Sequence, residues 1–123
     1  MTPAQIQALS PVSLAYIGDA VYELYVRSRL LWPPRHSHQY HRAVVAQVKA
    51  EQQADYLHQL TPQLTDSELD LVRRGRNAAP RHRRASANRY QQATGFEALV
   101  GHLYLTNPER LAALLEGLDW IAS

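Results

Sequence analysis

Apolar residues recur along this chain at helical spacing almost throughout, and no sustained alternating run marks a strand. Leu14, Ile17, Val21, Leu24 and Ser28 define one stripe of a helix from about Pro11 to Leu31. Ser10 is its expected cap, and Pro11 suits a first helical position. Trp32-Pro33-Pro34 then ends the helix, because proline cannot donate to a turn and restricts the residue before it. A second helix is predicted from about Ser37 to Leu60, stopping before Pro62. A third opens with Thr65 and Glu68 at capping-box spacing and runs to about Arg74, where Gly75 is expected to break it. The segment from Gly75 to about Arg83 reads as a basic loop. A long helix follows from about Ala85 to Leu105, and a last one from Pro108 to about Glu116. With a short N-terminal turn, the pattern predicts an all-α bundle of five or six helices.

The chain has 123 residues, enough for one domain, expected to span residues 1–123, and 46% of them are hydrophobic. It contains no cysteine, which removes disulfides, thiolate zinc sites and cysteine nucleophiles and suits a reducing cytosol. No signal peptide or membrane span is legible, so a cytoplasmic location is expected. Net charge is only +2, but its distribution is uneven. No acid occurs between Asp70 and Glu97, a stretch holding Arg73, Arg74, Arg76, Arg81, Arg83, Arg84 and Arg89. Arginine presents a fork of donors that matches phosphate oxygens, so a polyanion is the first partner to consider. A solvated basic loop is the plain alternative.

Two acids stand in apolar settings. Asp19 follows Gly18 within Leu-Ala-Tyr-Ile-Gly-Asp-Ala-Val-Tyr-Glu, and shares a helix face with Glu23 and Arg27. Glu97 lies within Thr-Gly-Phe-Glu-Ala-Leu-Val-Gly-His-Leu, with Gly101 one turn on. A mid-helix glycine costs about 1 kcal/mol against alanine, and commonly admits a close neighbour. Two such helices crossing closely would bring two carboxylates to one cation, and hard oxygen donors select Mg²⁺ or Mn²⁺. The competing interpretation of Asp19, Glu23 and Arg27 is a salt-bridged surface stripe. His36, His38 and His41 make a poor zinc set, since residues two apart at a helix entrance do not share a face. Tyr16, Tyr22, Tyr25, Tyr90 and Tyr104 are expected to pack, and Trp120 to pin the C-terminal segment to the bundle.

Gly18-Asp19-Ala20-Val21 in its apolar frame resembles the signature helix of the ribonuclease III family. Phe96-Glu97-Ala98-Leu99-Val100-Gly101 resembles that family's second catalytic helix. Arg74-Gly75-Arg76-Asn77-Ala78 and Tyr104-Leu105 resemble its short bacterial branch, Mini-ribonuclease III, which has the catalytic domain and no double-stranded-RNA-binding domain. The resemblance runs from about Leu14 to Leu105. It implies the helical endonuclease domain, dimerisation through the signature helix, and Mg²⁺-dependent cleavage of each strand of duplex RNA to 5′-phosphate and 3′-hydroxyl ends. Asp19 and Glu97 correspond to the family's essential aspartate and glutamate. Where larger members carry further acids, this chain has Val12, Ala15 and Thr94, so its metal site is poorer in charge.

The resemblance implies that the arginine segment grips the RNA, Arg74, Arg76 and Asn77 first, then Arg73, Arg81, Arg83 and Arg84. By analogy the natural substrate is precursor 23S ribosomal RNA, with any ribosomal-protein helper unidentified. The alternatives are a non-catalytic dimeric RNA-binding protein of the same fold, and a helical interaction module merely solvated by its arginines.

Overall fold

A computed structural model of the chain describes residues 1–79 and 87–121. These residues form α1 (Pro3–Gln7), α2 (Pro11–Arg29), α3 (Ser37–Val48), α4 (Ala50–Leu60), a 3₁₀ turn (Thr61–Gln63), α5 (Asp66–Ala78), α6 (Ala87–Thr106) and α7 (Pro108–Glu116), with no strand among them. Arg81, Arg83 and Arg84 lie outside the described residues. No helix among the described residues is long and apolar enough to cross a membrane.

Helix α6 is the axis of the bundle. Phe96, Ala98, Leu99, Val100 and Leu103 are buried on several of its faces, as expected of a helix packed on all sides. Helices α2, α4, α5 and α7 surround it. Tyr22 meets Phe96 edge to face with centroids 5.1 Å apart. Trp120 stacks on Tyr22 and Tyr25, and its indole N–H donates to the Leu115 carbonyl at 2.9 Å. The C-terminal segment is pinned as its sequence suggested.

Local end signals act as predicted. The Ser10 hydroxyl accepts from the Ser13 amide at 3.1 Å. Thr65 and Glu68 cap each other reciprocally at 3.2 and 2.9 Å. Glu68 also binds Arg110 at 2.9 Å, tying α5 to α7. That guanidinium holds the Glu68 carboxyl below its usual range in spite of burial.

Four expectations are corrected. The inward face of α2 is Leu14, Ala15, Gly18, Tyr22 and Val26, whereas Leu24 and Ser28 point outward. The cause is that α2 carries a second apolar stripe: Val12, Tyr16 and Leu24 are exposed, Tyr16 by 83%. Tyr104 is likewise exposed rather than packed, and Tyr90 is partly so. The predicted helix over 37–60 is broken at Lys49, whose backbone is extended (φ −66°, ψ 153°). A buried polar network fixes this break. Gln47 accepts from the Tyr56 hydroxyl through Oε1 and donates to the Ile121 carbonyl at 3.0 Å, while its own carbonyl accepts from Tyr22 at 2.8 Å. Finally, Gly75 does not end α5, which continues to Ala78. Arg76 and Asn77 therefore sit on a helix rather than in a loop.

Candidate active site

Two close helix crossings organise the face on which the predicted residues lie. At the first, α2 meets α6 backbone to backbone. A Cβ on Gly18 would lie 2.7 Å from the Glu97 carbonyl carbon and 2.8 Å from the Gly101 nitrogen. A Cβ on Gly101 would lie 2.9 Å from both the Leu14 carbonyl carbon and Ile17 Cγ2. Carbon atoms in contact settle at about 3.5–4.0 Å, so neither position accepts a side chain. The two glycines that flank the acids in sequence are thus the crossing point in space.

At the second crossing, α5 lies on α6. A Cβ on Gly75 would stand 3.0 Å from Ala98 Cβ and from Gly95 Cα, and one on Gly95 would stand 2.8 Å from the Val72 carbonyl oxygen. This explains why Gly75 is retained inside a helix: it makes room for α6 rather than a turn. The C-terminal half of α5 is thereby held beside the segment of α6 that carries Glu97.

The first crossing brings Asp19 and Glu97 together. Asp19 is exposed and Glu97 half-buried, and their carboxyl groups are in hydrogen-bond contact. Burial, and then the neighbouring Asp19, push the Glu97 carboxyl up to about 8. At neutral pH Glu97 therefore keeps its proton in the absence of a cation. Gln53 of α4 reaches Glu97 as well, and opposes that rise. The Asp19, Glu23, Arg27 stripe is in part what its spacing suggested, since Arg27 pairs with Glu23 at 3.5 Å. Asp19 instead turns to α6.

Such a pair fits a hard divalent cation. Two oxygen donors repel each other when both are charged, and a cation relieves that repulsion while retaining most of its water. No group of three or more His, Cys, Asp or Glu side chains gathers among the described residues. Ala15 is buried and Thr94 donates to the Tyr90 carbonyl at 3.1 Å, so neither adds a charged ligand. The His36 and His38 rings stack 6.1 Å apart, contrary to the expectation that they diverge, because His36 caps α3 in an extended conformation.

Arg73, Arg74, Arg76 and Asn77 are all exposed on α5. Arg73 and Arg74 both pair with Asp70, Arg74 through Nε at 3.1 Å. These solvent-exposed pairs are weak and readily exchanged for phosphate. Arg76 lays its stem against Gly95, whose Cβ would come within 2.9 Å of Arg76 Cγ. Its position is thus set by the same crossing that sets α5 on α6. Gln53 was missed in the sequence, although one signal was available. It falls at i, i+4 and i+7 spacing with Leu57 and Leu60 on the buried stripe of α4, where a polar side chain is out of place.

Comparison with known proteins identifies the family and the fold. A family model described as Ribonuclease III domain matches residues 12–108. A Mini-ribonuclease 3 from Synechococcus sp. is 56% identical over 119 residues, covering 96% of this chain and 86% of that protein. One from Synechocystis sp. is 60% identical over 111 residues, covering 89% and 78%. A crystal structure of a Fusobacterium nucleatum protein superimposes with a TM-score of 0.82 at 26% identity, covering 90% of this chain and 92% of that one.

Proposed function

The chain belongs to the ribonuclease III family, and from that premise we propose that it is a Mg²⁺-dependent endoribonuclease that cuts double-stranded RNA as a homodimer. The observation that carries this reading is the contact between the Asp19 and Glu97 carboxyl groups at the Gly18–Gly101 crossing. These two residues would hold Mg²⁺, for which Mn²⁺ can substitute. When bound, the cation supplies an acidified water and offsets the charge developing on the phosphodiester. Glu97, half-buried and braced by Gln53, fixes the site from within the bundle. Asp19, on the exposed side, faces the direction from which substrate arrives. Glu97 would give up its proton on taking up the cation, so that the pair would be fully charged only where that charge is neutralised. Hydrolysis would leave 5′-phosphate and 3′-hydroxyl ends.

The exposed side of α5 supports an RNA grip. Arg73, Arg74, Arg76 and Asn77 would meet the backbone of an A-form duplex, which is recognised by shape, phosphate and 2′-hydroxyl rather than by base edges. Arg81, Arg83 and Arg84 extend the same basic segment and belong to this proposal on sequence grounds. The second apolar stripe of α2, with Val12, Tyr16 and Leu24, supports pairing with another copy through that helix. Asp19 borders this stripe, so each site would open beside the partner. Residues 1–123 would act as one catalytic domain, in the cytoplasm, on a stem of precursor 23S ribosomal RNA.

The test is cleavage of end-labelled duplex RNA with and without Mg²⁺. Asp19→Asn is expected to abolish cutting while RNA binding and dimerisation stay near parental. Cutting by that variant at the parental rate overturns the site. Duplex binding by the parent without any cleavage in Mg²⁺ or Mn²⁺ would favour a non-catalytic RNA-binding protein instead.

A further inference from the structure

Gln53 corresponds to none of the acids expected at the site, yet it is 3% exposed and lies against Glu97. Its amide group is held from two sides. Nε2 donates to the Val48 carbonyl at 2.8 Å, one of the carbonyls freed where α3 ends at the Lys49 break. The same side chain hydrogen-bonds to Glu97. An amide nitrogen has two hydrogens, so Nε2 can serve Val48 and still turn one towards Glu97. Its oxygen differs: Oε1 is buried and has no hydrogen-bond partner among the described residues.

A tie across the α3–α4 break explains the bond to Val48 and nothing more. It does not explain why the amide reaches Glu97, nor why a buried acceptor stands idle on the same side chain. A leucine would fill the space without the cost of desolvating an unpaired oxygen. The amide is planar, so a nitrogen fixed between Val48 and Glu97 also fixes where the oxygen points.

We propose that Gln53 is a positioning residue for the divalent cation: its Oε1 accepts a hydrogen bond from a water in the cation's hydration shell, while its Nε2 orients Glu97. This rests on the reading that Asp19 and Glu97 hold the cation. Mg²⁺ keeps several waters when only one or two carboxylates bind it, and those waters need outer acceptors to take a defined orientation. Ala15 offers no side-chain acceptor, and the Thr94 hydroxyl donates its one proton to the Tyr90 carbonyl. A neutral amide supplies the acceptor without adding to the repulsion between the two acids.

The experiment uses the full chain without RNA. Mg²⁺ is titrated while the Gln53 side-chain amide is followed by ¹⁵N NMR. Mn²⁺ affinity is then measured by electron paramagnetic resonance for the parent, Asp19→Asn, Gln53→Leu and Gln53→Met, with a thermal melt of each. The Gln53 amide resonance is expected to shift and saturate with the parent's cation affinity. Gln53→Leu should bind Mn²⁺ about tenfold more weakly, and Gln53→Met, which keeps the length of the side chain without its amide, should be weakened likewise. A role confined to the helix break would lower the melting temperature of Gln53→Leu and leave its Mn²⁺ affinity unchanged, which overturns the proposal. So does a Gln53 amide that stays unmoved while Mg²⁺ saturates the site. Should Gln53→Leu not fold, the parental titration and Gln53→Met decide, with parental affinity in the latter counting against. A parent that binds no Mn²⁺, or Asp19→Asn with parental affinity, defeats the metal site itself rather than the role of Gln53 alone.

Discussion

Gly18→Ala adds one carbon where two backbones touch, and its cost can be worked from the crossing. On the present backbone the new Cβ overlaps the Glu97 carbonyl oxygen and sits 2.7 Å from the carbonyl carbon. Relief to an ordinary separation of about 3.5–4.0 Å requires α2 and α6 to part by about 1 Å. The obstacle is main chain in the middle of a helix, so it cannot swing aside as a side chain would. Overpacking of this kind costs about 3 kcal/mol. Alanine returns about 1 kcal/mol of helix propensity. The net loss is about 2 kcal/mol, or roughly 8 °C in melting temperature for a domain of this size. Gly117→Ala is the control, because its Cβ would meet only Ala113 and Leu114 carbonyl oxygens at 3.5 and 3.6 Å. That variant should stay within about 0.5 kcal/mol of the parent. Both are read by circular dichroism melts at one protein concentration, since self-association makes the midpoint concentration-dependent. Gly18→Ala melting at or above the parental temperature would refute the backbone contact.

Three further outcomes are expected. Without divalent cation, stability should fall as pH rises from about 4.5 towards about 8: burial and Asp19 raise the Glu97 carboxyl, so the unfolded chain loses its proton first. Urea denaturation across that range in chelator checks the slope, and Asp19→Asn should flatten it only in part, because burial is the larger cause. Arg74→Ala with Arg76→Ala should weaken duplex-RNA binding and reduce the slope of log affinity against log salt by about two, and fluorescence anisotropy at several salt concentrations that finds an unchanged slope removes both residues from the RNA surface. Tyr16→Lys, at a position 83% exposed, should leave the fold intact by circular dichroism but shift sedimentation towards monomer; an unaltered dimer takes that stripe out of the interface.

What could be read directly from the sequence was whatever depends on neighbours in the chain. The Ser10 cap, the Thr65–Glu68 box and the start of α7 at Pro108 each need only three or four consecutive residues. The break at Lys49 needs Tyr22, Tyr56 and Ile121, which reach Gln47 from elsewhere in the chain. No local periodicity carries that information. Gly75 misled for a related reason. As punctuation it ends a helix, but its lack of a side chain serves the approach of Gly95, twenty residues along a different element.

The acids themselves were conspicuous only as polar residues among apolar ones, a weak signal that a surface stripe explains equally well. The stronger signal is the glycine one residue before Asp19 and the glycine one turn after Glu97. Because Gly18 and Gly101 bring the two main chains into contact, the two carboxyl groups start from neighbouring positions on facing helices. The rise of the Glu97 carboxyl to about 8 therefore follows partly from backbone packing, since a looser crossing would let the charges separate. This accounts for a site with so few acids. Where extra carboxylates would hold a cation by number, a rigid crossing would hold it by keeping two in place, one of them protonated until the cation is taken up. Folding stability and cation affinity are then two readings of one contact, and a substitution that loosens it should weaken both.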